Sequence, residues 1–429
     1  MAPRRCTACD KKGHSLTTCT SRAAAVIRDL REKLKLQRVG QKRKPGRATT
    51  KRPAAQARAK YTPKPGPDKR KLVRRTALKE RSGKGLMGML GGDDRVALEH
   101  LHVAGYVPRH KKCPECKKGA LSGPAARKDM AGAHLWYRCT SNACNARFNA
   151  LKHSMFSSTK LTPKQLAMVI QQYTNTDKTA PIPSDNLAAD CEGGRFQVAS
   201  VVEKLRAVEV AVAKKQNNAG QLTGDLEVDE HGVRSYHVSK TNAAYEQYHS
   251  KALLKKSHPY YLNYIRVIGL RKRGCGRVFV HFLPPKLLPP KSRPPPVSEQ
   301  EVIDSGILKR AKPGSCVIHS DGALAYQTVI KSKFPKLKHR SVSHRNMEFV
   351  KAVTPVRMPS GLSASSSGTQ CIDSTWRTLD QAIPSTLHTK KDHTLNPLLE
   401  EYTWCWLYRI NHRMVDGFAC LGAFVRAMD

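Results

Sequence analysis

GDLEVDE (224–230) and SCVIHSDG (315–322) are the two stretches that decide the fold. In the first, strand alternation puts Leu226 and Val228 on one face and Glu227 and Asp229 on the other, with Glu230 pointing away from Asp229. The second reads as a strand that ends on Asp321 and enters a glycine turn. Around them lie YIRVIGLRK and GRVFVHFL, two β-rich runs bounded by Gly or Pro. The connection LPPKLLPPKSRPPP holds seven prolines and cannot be sheet interior. SEQEVIDSGILKR and ALAYQTVIKSKF read as helices, KHRSVSH as one more strand, and MPSGLSASSSG as a flexible loop. CIDSTWRTLDQAI and LNPLLEEYTWCWLYRINHRM close the series as helices. Strands followed by alternating helix and strand predict an α/β fold over residues 221–429, a mixed sheet flanked by helices.

Three acids stand out on this frame. Asp229 and Asp321 sit at strand ends. Asp373 lies one residue off the apolar stripe Ile372, Trp376 and Leu379, where it can reach a cleft edge. Two acids at strand ends and one on a later helix are the arrangement that holds two divalent metals over a phosphodiester. The competing reading is that an Asp before Gly only forms a turn. His319 and His344 flank these strands and read as supporting or core histidines rather than ligands.

Upstream, the helical stretches LTPKQLAMVIQQY and FQVASVVEKLRAVEVAVAKK predict a helix-turn-helix-like DNA-binding region over 153–220. Before them, residues 93–152 combine the capped amphipathic helix DDRVALEHLHVAGYV with Cys113-Pro-Glu-Cys116 and Cys139-x4-Cys144. Two such pairs predict a zinc ribbon, padded by Trp136, Tyr137 and Phe148. The x4 spacing of the second pair predicts a local distortion. A second zinc site is predicted in residues 1–22 from Cys6-x2-Cys9-x4-His14-x4-Cys19, a zinc knuckle spacing that suits single-stranded nucleic acid. Cys191, Cys275, Cys316, Cys371, Cys405 and Cys420 show no ligand spacing, and most of them read as buried apolar positions.

A short helix is expected over 23–37, and a disordered basic linker over 38–92. Residues 38–75 carry 15 Lys and Arg against one acid, Asp68. Lys42, Arg43 and Lys44, Lys51-Arg52, and Lys69-Arg70-Lys71 are the candidate nucleic-acid contacts. The last two groups also resemble a bipartite nuclear import signal, and the same charges would make a sequence-blind phosphate-binding tail. The stretch SGKGLMGMLGGDD lacks GxxxxGK[ST] and is not a phosphate-binding loop.

Composition points the same way. The 429 residues hold 76 Lys and Arg against 33 Asp and Glu, a formal net charge of +43. That excess predicts a polyanionic partner, nucleic acid ahead of an anionic membrane surface. No apolar run approaches the ~20 residues of a membrane span. MAPRRCTACDKK has no apolar core, so a secretory signal is not expected. Thirteen cysteines clustered in short pairs favour metal over disulfides.

The ordered series DDRVALEHL, CPEC, WYRC, ARFNA, HSMFSSTKLTPKQLAMVI, GDLEVDE, YIRVIGLRKRG, PGSCVIHSDGALAY, HRNMEFV, CIDSTW and WLYRINHRM resembles the zinc-ribbon DDE transposases of bacterial insertion sequences and their eukaryotic Merlin-type relatives. The resemblance covers roughly residues 93–414. It implies an RNase H-like catalytic core, with Asp229 and Asp321 as the first two ligands of Mg2+ or Mn2+. It also implies divalent-metal-dependent DNA strand cleavage and transfer at transposon ends, by a homo-oligomer on DNA. The family pattern His-Thr-Asn-x-Ile-Glu is here Gly368-Thr369-Gln370-Cys371-Ile372-Asp373, so the third acid is one methylene shorter and Gln370 replaces Asn. The alternative is a transposon-derived nucleic-acid-binding protein that has lost catalysis.

Overall fold

The computed structural model describes residues 93–126, 135–175, 184–191, 193–239, 260–274, 276–343, 346–359, 361–384, 397–413 and 416–428, with His258 and Leu387. All of them fall in the unit Lys69–Asp429. The knuckle ligands Cys6, Cys9, His14 and Cys19, the 23–37 helix, the basic residues 38–92, Cys275 and His344 lie outside the described residues.

Helix α1 (Asp94–Ala104) starts where the Asp93 carboxylate accepts the Arg95 N–H at 2.8 Å, and stops at Gly105 in the left-handed region. Its buried face is Ala97, Leu98 and Leu101, while Val96 and Val103 are exposed. A small antiparallel sheet follows, β1 (Ala125–Ala126), β2 (Leu135–Arg138) and β3 (Arg147–Asn149), in that spatial order.

Next come α2 (Pro163–Asn175), α3 (Ser184–Asp190) and α4 (Arg195–Asn217). The two helices expected to be joined by a turn are therefore joined through a third. SDNLAAD shows too little apolar periodicity to announce itself, and its Leu187 is buried against α4 and its neighbours. The buried positions of α4 run from Val198 to Ala213 and face the same core as α8 (Pro397–His412).

The main sheet has six strands: β4 (Leu222–Val238), β5 (Tyr261–Lys272), β6 (Val278–Phe282), β7 (Lys286–Leu288), β8 (Ala311–Ser320) and β9 (Lys338–Ser341). The spatial order is β6-β5-β4-β8-β9, with β7 also on β5. β4, β5 and β6 form an antiparallel meander; β8 and β9 run parallel to β4. The proline-rich connection contributes only the three-residue β7 between its proline pairs.

Helices cover both faces of this mixed sheet. On one lie α5 (Glu299–Ser305) and α6 (Leu324–Lys333), whose Val302, Tyr326, Val329 and Ile330 share a core with Leu226, Val228 and Ile318. On the other lie α7 (Gln370–Ala382), α8 and α4, with Ile372, Trp376 and Leu379 against Val267, Val278 and Val280.

β4 is more than twice as long as GDLEVDE. A bulge between Gly232 and Arg234 inserts Val233. The extra residue resets the alternation, so that Tyr236 and Val238 join the core that the odd-numbered side chains face before it.

The closing helix α9 (Gly417–Met428) was not foreseen. Two glycines depress its propensity, but a Cβ at Gly422 would stand 2.6 Å from the Ala104 carbonyl, so the glycine is what lets α9 approach α1. Among the described residues no helix is long and apolar enough to cross a membrane.

Candidate functional site

Strand β4 presents Asp225, Glu227, Asp229 and His231 on the face that α7 covers. Asp225 accepts from His319 Nε2 at 2.8 Å and from the Ala364 N–H at 2.8 Å. Glu227, 1 % exposed, accepts from Arg273 Nε at 2.6 Å and from the Ile372 N–H at 2.7 Å. Both of these acids have both oxygens engaged. Asp229 accepts from Trp376 Nε1 at 2.9 Å. Trp376 stacks on His231 with ring centroids 5.4 Å apart and planes 6° from parallel, and His231 Nε2 meets Asp380 Oδ1 at 3.0 Å.

The parallel register pairs Val228 with Ser320, so one further step along β4 brings Asp229 level with Asp321, just past the end of β8. Asp229 itself lies inside β4 and not at a strand end, because the pairing with β5 carries β4 on to Val238. Asp321 uses Oδ1 to accept the Ala323 N–H at 3.1 Å, so the turn-forming role is real. Asp373 is half-buried in the first turn of α7 and accepts from the Thr369 hydroxyl at 3.3 Å. It borders an open groove lined by Phe349, Gln370, Ser374 and Arg377. Glu230, on the opposite face of β4, accepts from Tyr326 at 3.0 Å and from the Val297 N–H.

Burial raises the Asp229 pKa well above its ordinary 3.8; the negative charges of Asp321, Glu230 and Asp373 add to the effect, opposed by the Trp376 hydrogen bond. Burial and Asp321 also raise Glu230. Asp321 and Asp373 thus lie close enough to Asp229, on the interior strand β4, for their negative charges to act on it. Carboxylate oxygens are the donors that hard divalent cations take, but among the described residues these three carboxylates are not gathered into a group that could hold a metal ion. They are not drawn together as tightly as the cysteines described next. Like charges repel, which favours the wider spacing.

Trp376 owes its place to a glycine. Gly269 pairs with Asp229 across β4 and β5, and a Cβ there would stand 2.4 Å from Trp376 Cη2. Gly269→Ala is expected to cost about 1–3 kcal/mol by overpacking. Urea melts followed by tryptophan fluorescence would show it. An unchanged midpoint and spectrum would remove the indole from this strand.

The cysteine cluster stands at the turns of the small sheet. Among the described residues, Cys113, Cys116, Cys139 and Cys144 are the one group of three or more His, Cys, Asp or Glu gathered closely enough to hold a metal ion, with all ligand atoms within 4.8 Å of one another. Cys113 and Cys144 Sγ are 3.9 Å apart, and Cys116 and Cys139 Sγ 3.7 Å. Those separations exceed a disulfide bond and match the ~3.8 Å edge of a tetrahedron with ~2.3 Å zinc–sulfur bonds.

The residue after the second cysteine of each pair, Lys117 (φ 60°) and Asn145 (φ 44°), takes the left-handed conformation that turns the chain back. Gly119 donates its N–H to Cys116 Sγ at 3.3 Å, and a Cβ on it would stand 2.4 Å from Cys139 Sγ. Backbone N–H groups of Gly119 and Lys118 lower the Cys116 thiol to about 6, whereas burial pushes Cys139 up to about 12. The longer second spacing is absorbed by a turn in which Cys144 and Asn145 both donate to the Ser141 carbonyl. The cluster can hold a metal such as zinc.

Sequence reasoning missed Trp376 as the partner of Asp229, and missed that Asp225 and Glu227 are engaged. Of the remaining cysteines, Cys191, Cys316 and Cys405 are buried, and Cys371 and Cys420 are half-buried. His319 is fully buried between Asp225 and Ser367, in a supporting place. No family model and no curated protein matches the chain.

Proposed function

We propose that this chain is a transposase-type DNA-binding protein of the DDE kind, with Asp229, Asp321 and Asp373 as its catalytic carboxylates. The observation that carries the reading is that Asp229, one step beyond the Val228–Ser320 pair of the parallel strands β4 and β8, feels the charge of Asp321 just past β8 and of Asp373 on α7. The strand order, a three-stranded meander extended by two parallel strands, is the one an RNase H-like core would have. When bound, Mg2+ or Mn2+ at these carboxylates would activate an attacking hydroxyl and take charge from the leaving oxygen.

The chain's own residues orient that site. Trp376 fixes one oxygen of Asp229, the Ala323 N–H fixes one oxygen of Asp321, and Gln370 and Arg377 line the groove beside Asp373 as contacts for a phosphate backbone. The four-cysteine module would be a zinc ribbon, and the 153–220 helices would add DNA contacts. The knuckle at Cys6–Cys19 would take single-stranded nucleic acid. The Lys51–Lys71 basic groups would direct the protein to the nucleus, and it would act as a homo-oligomer on transposon ends and target.

Two measurements test this. The full chain should nick supercoiled DNA with Mn2+ and not with chelator. Binding without any nicking would favour the decayed, binding-only alternative, which the shorter Asp373 in place of Glu already favours. Deleting residues 38–75 should weaken binding to every DNA sequence alike. If ~8 of the 15 cations meet phosphates, the log K against log salt slope should flatten by about 7. An unchanged slope would take the arm out of the interface.

A further inference from the structure

The composition of the Ser-rich run before α7 predicts a flexible loop. In the fold it is fastened along its length. Arg340 Nη1 donates to the Ala364 carbonyl at 3.2 Å, and Asp225 takes the Ala364 N–H. His319 bridges Asp225 and the Ser367 hydroxyl, at 2.8 and 3.0 Å. A carboxylate only accepts, so Nε2 donates to Asp225.

The decisive contacts come one step further on. Arg273, just past the end of β5, donates Nη1 to the Ser366 carbonyl at 2.7 Å, Nη2 to the Gly368 carbonyl at 2.6 Å and Nε to Glu227. The other oxygen of Glu227 takes the N–H of Ile372, the residue before Asp373. Arg271, which pairs with Glu227 across the sheet, donates to the Cys371 carbonyl and the Thr375 hydroxyl on the far side of the same turn.

We infer that Glu227 and Arg273 are positioning residues for Asp373: their ion pair ties the backbone on both sides of the first turn of α7 to β4, the strand that carries Asp229. The inference rests on the reading of the three aspartates as one site. Its physical basis is rigidity. A planar guanidinium holds two carbonyls and one carboxylate at once in a fixed, extended geometry, whereas an ammonium offers its three donors from a single atom on a flexible stem. Glu227 stands two residues from Asp229 on the same strand face, so the distance from Asp229 to the turn is set by one side chain and one hydrogen bond. A side chain that is one methylene short has little reach to correct an error in that distance. The clamp therefore matters more here than it would beneath a glutamate.

The test uses zinc-loaded full-length protein and three variants, Arg273→Lys, Glu227→Ala and Glu227→Gln. Amide exchange is read over residues 364–376. Mn2+ titration is followed by electron paramagnetic resonance, with Asp321→Asn defining aspartate-dependent binding. Arg273→Lys and Glu227→Ala should exchange residues 366–373 at least about tenfold faster, with β4 and β5 still protected. Their Mn2+ affinity should fall about 10–100-fold. Glu227→Gln keeps an acceptor for the Ile372 N–H and should recover part of both losses.

Unchanged exchange and affinity in Arg273→Lys and Glu227→Ala would overturn the assignment. If Glu227→Ala does not fold, Arg273→Lys and Glu227→Gln carry the comparison. If the wild type shows no aspartate-dependent Mn2+ binding, the metal reading fails on its own. Exchange then decides the clamp, supported by acceleration confined to residues 366–373 and overturned by none.

Discussion

Stripping the metal from Cys113, Cys116, Cys139 and Cys144 is expected to unfold the module around them while the six-stranded sheet stays folded. The buried apolar content of the cluster is Cys113, Cys139 and Phe148, with Leu121, Tyr137 and Ala146 partly covering it. Ordering each residue costs roughly 1–2 kcal/mol of conformational entropy, and so small a core cannot supply that for a segment of this length. Structural zinc contributes on the order of 10–16 kcal/mol in comparable small domains. Leu135, Ala150 and Leu151 join the main core and will anchor the ends. Chelator should therefore abolish amide protection between Cys113 and Asn149 and leave β4, β5 and β8 protected. Native mass spectrometry should lose one zinc in Cys116→Ser. Full protection after chelation, with no zinc in the mass, would show the four thiols to be a bare cluster.

Asp321→Asn carries the second large effect. Mn2+-dependent nicking should fall by at least about 100-fold, more than a merely supporting residue usually costs. DNA binding should persist or tighten, because a negative charge facing phosphate is removed. A second readout needs no activity. The folded state holds Asp229 protonated at pH values where the unfolded chain, with an ordinary pKa near 3.8, has released the proton. The native state then binds more protons, so stability falls as pH rises above 3.8 and is recovered on acidification toward it. After burial, Asp321 is the largest cause of that shift. Asp321→Asn should make the metal-free loss of stability as pH rises above 3.8 shallower in urea melts. Nicking that survives Asp321→Asn would place the chemistry elsewhere, and an unaltered pH slope would separate the two carboxylates.

Much of the frame was legible because it rests on short-range rules. Alternation in GDLEVDE and the apolar runs of YIRVIGLRK, GRVFVHFL and SCVIHSD give strands whose faces need no partner to be assigned. The stripe Ile372, Trp376 and Leu379 gives α7, and paired cysteines announce their own cluster. The signals failed where a local rule was overridden at long range. The bulge at Val233 broke the alternation that would have carried β4 on to Val238. Gly417 and Gly422 hid α9 because their value is close approach to Thr174 and Ala104, which propensity does not record.

The site divides in the same way. Residue type and alternation alone determined that Glu227 and Asp229 share a face of one strand and that Asp321 ends another. They could not say which acids are consumed as structure. Asp225 meets His319 94 residues away, Glu227 meets Ile372 145 away, and Asp229 meets Trp376 147 away. A strand's period assigns a side chain to a face, but a carboxylate becomes a support or a ligand according to the donors that fold against it. Glu227 met a guanidinium and a helix N–H and became a support, whereas Asp229 met one indole and three negative charges. That difference is made only when α7 closes over β4.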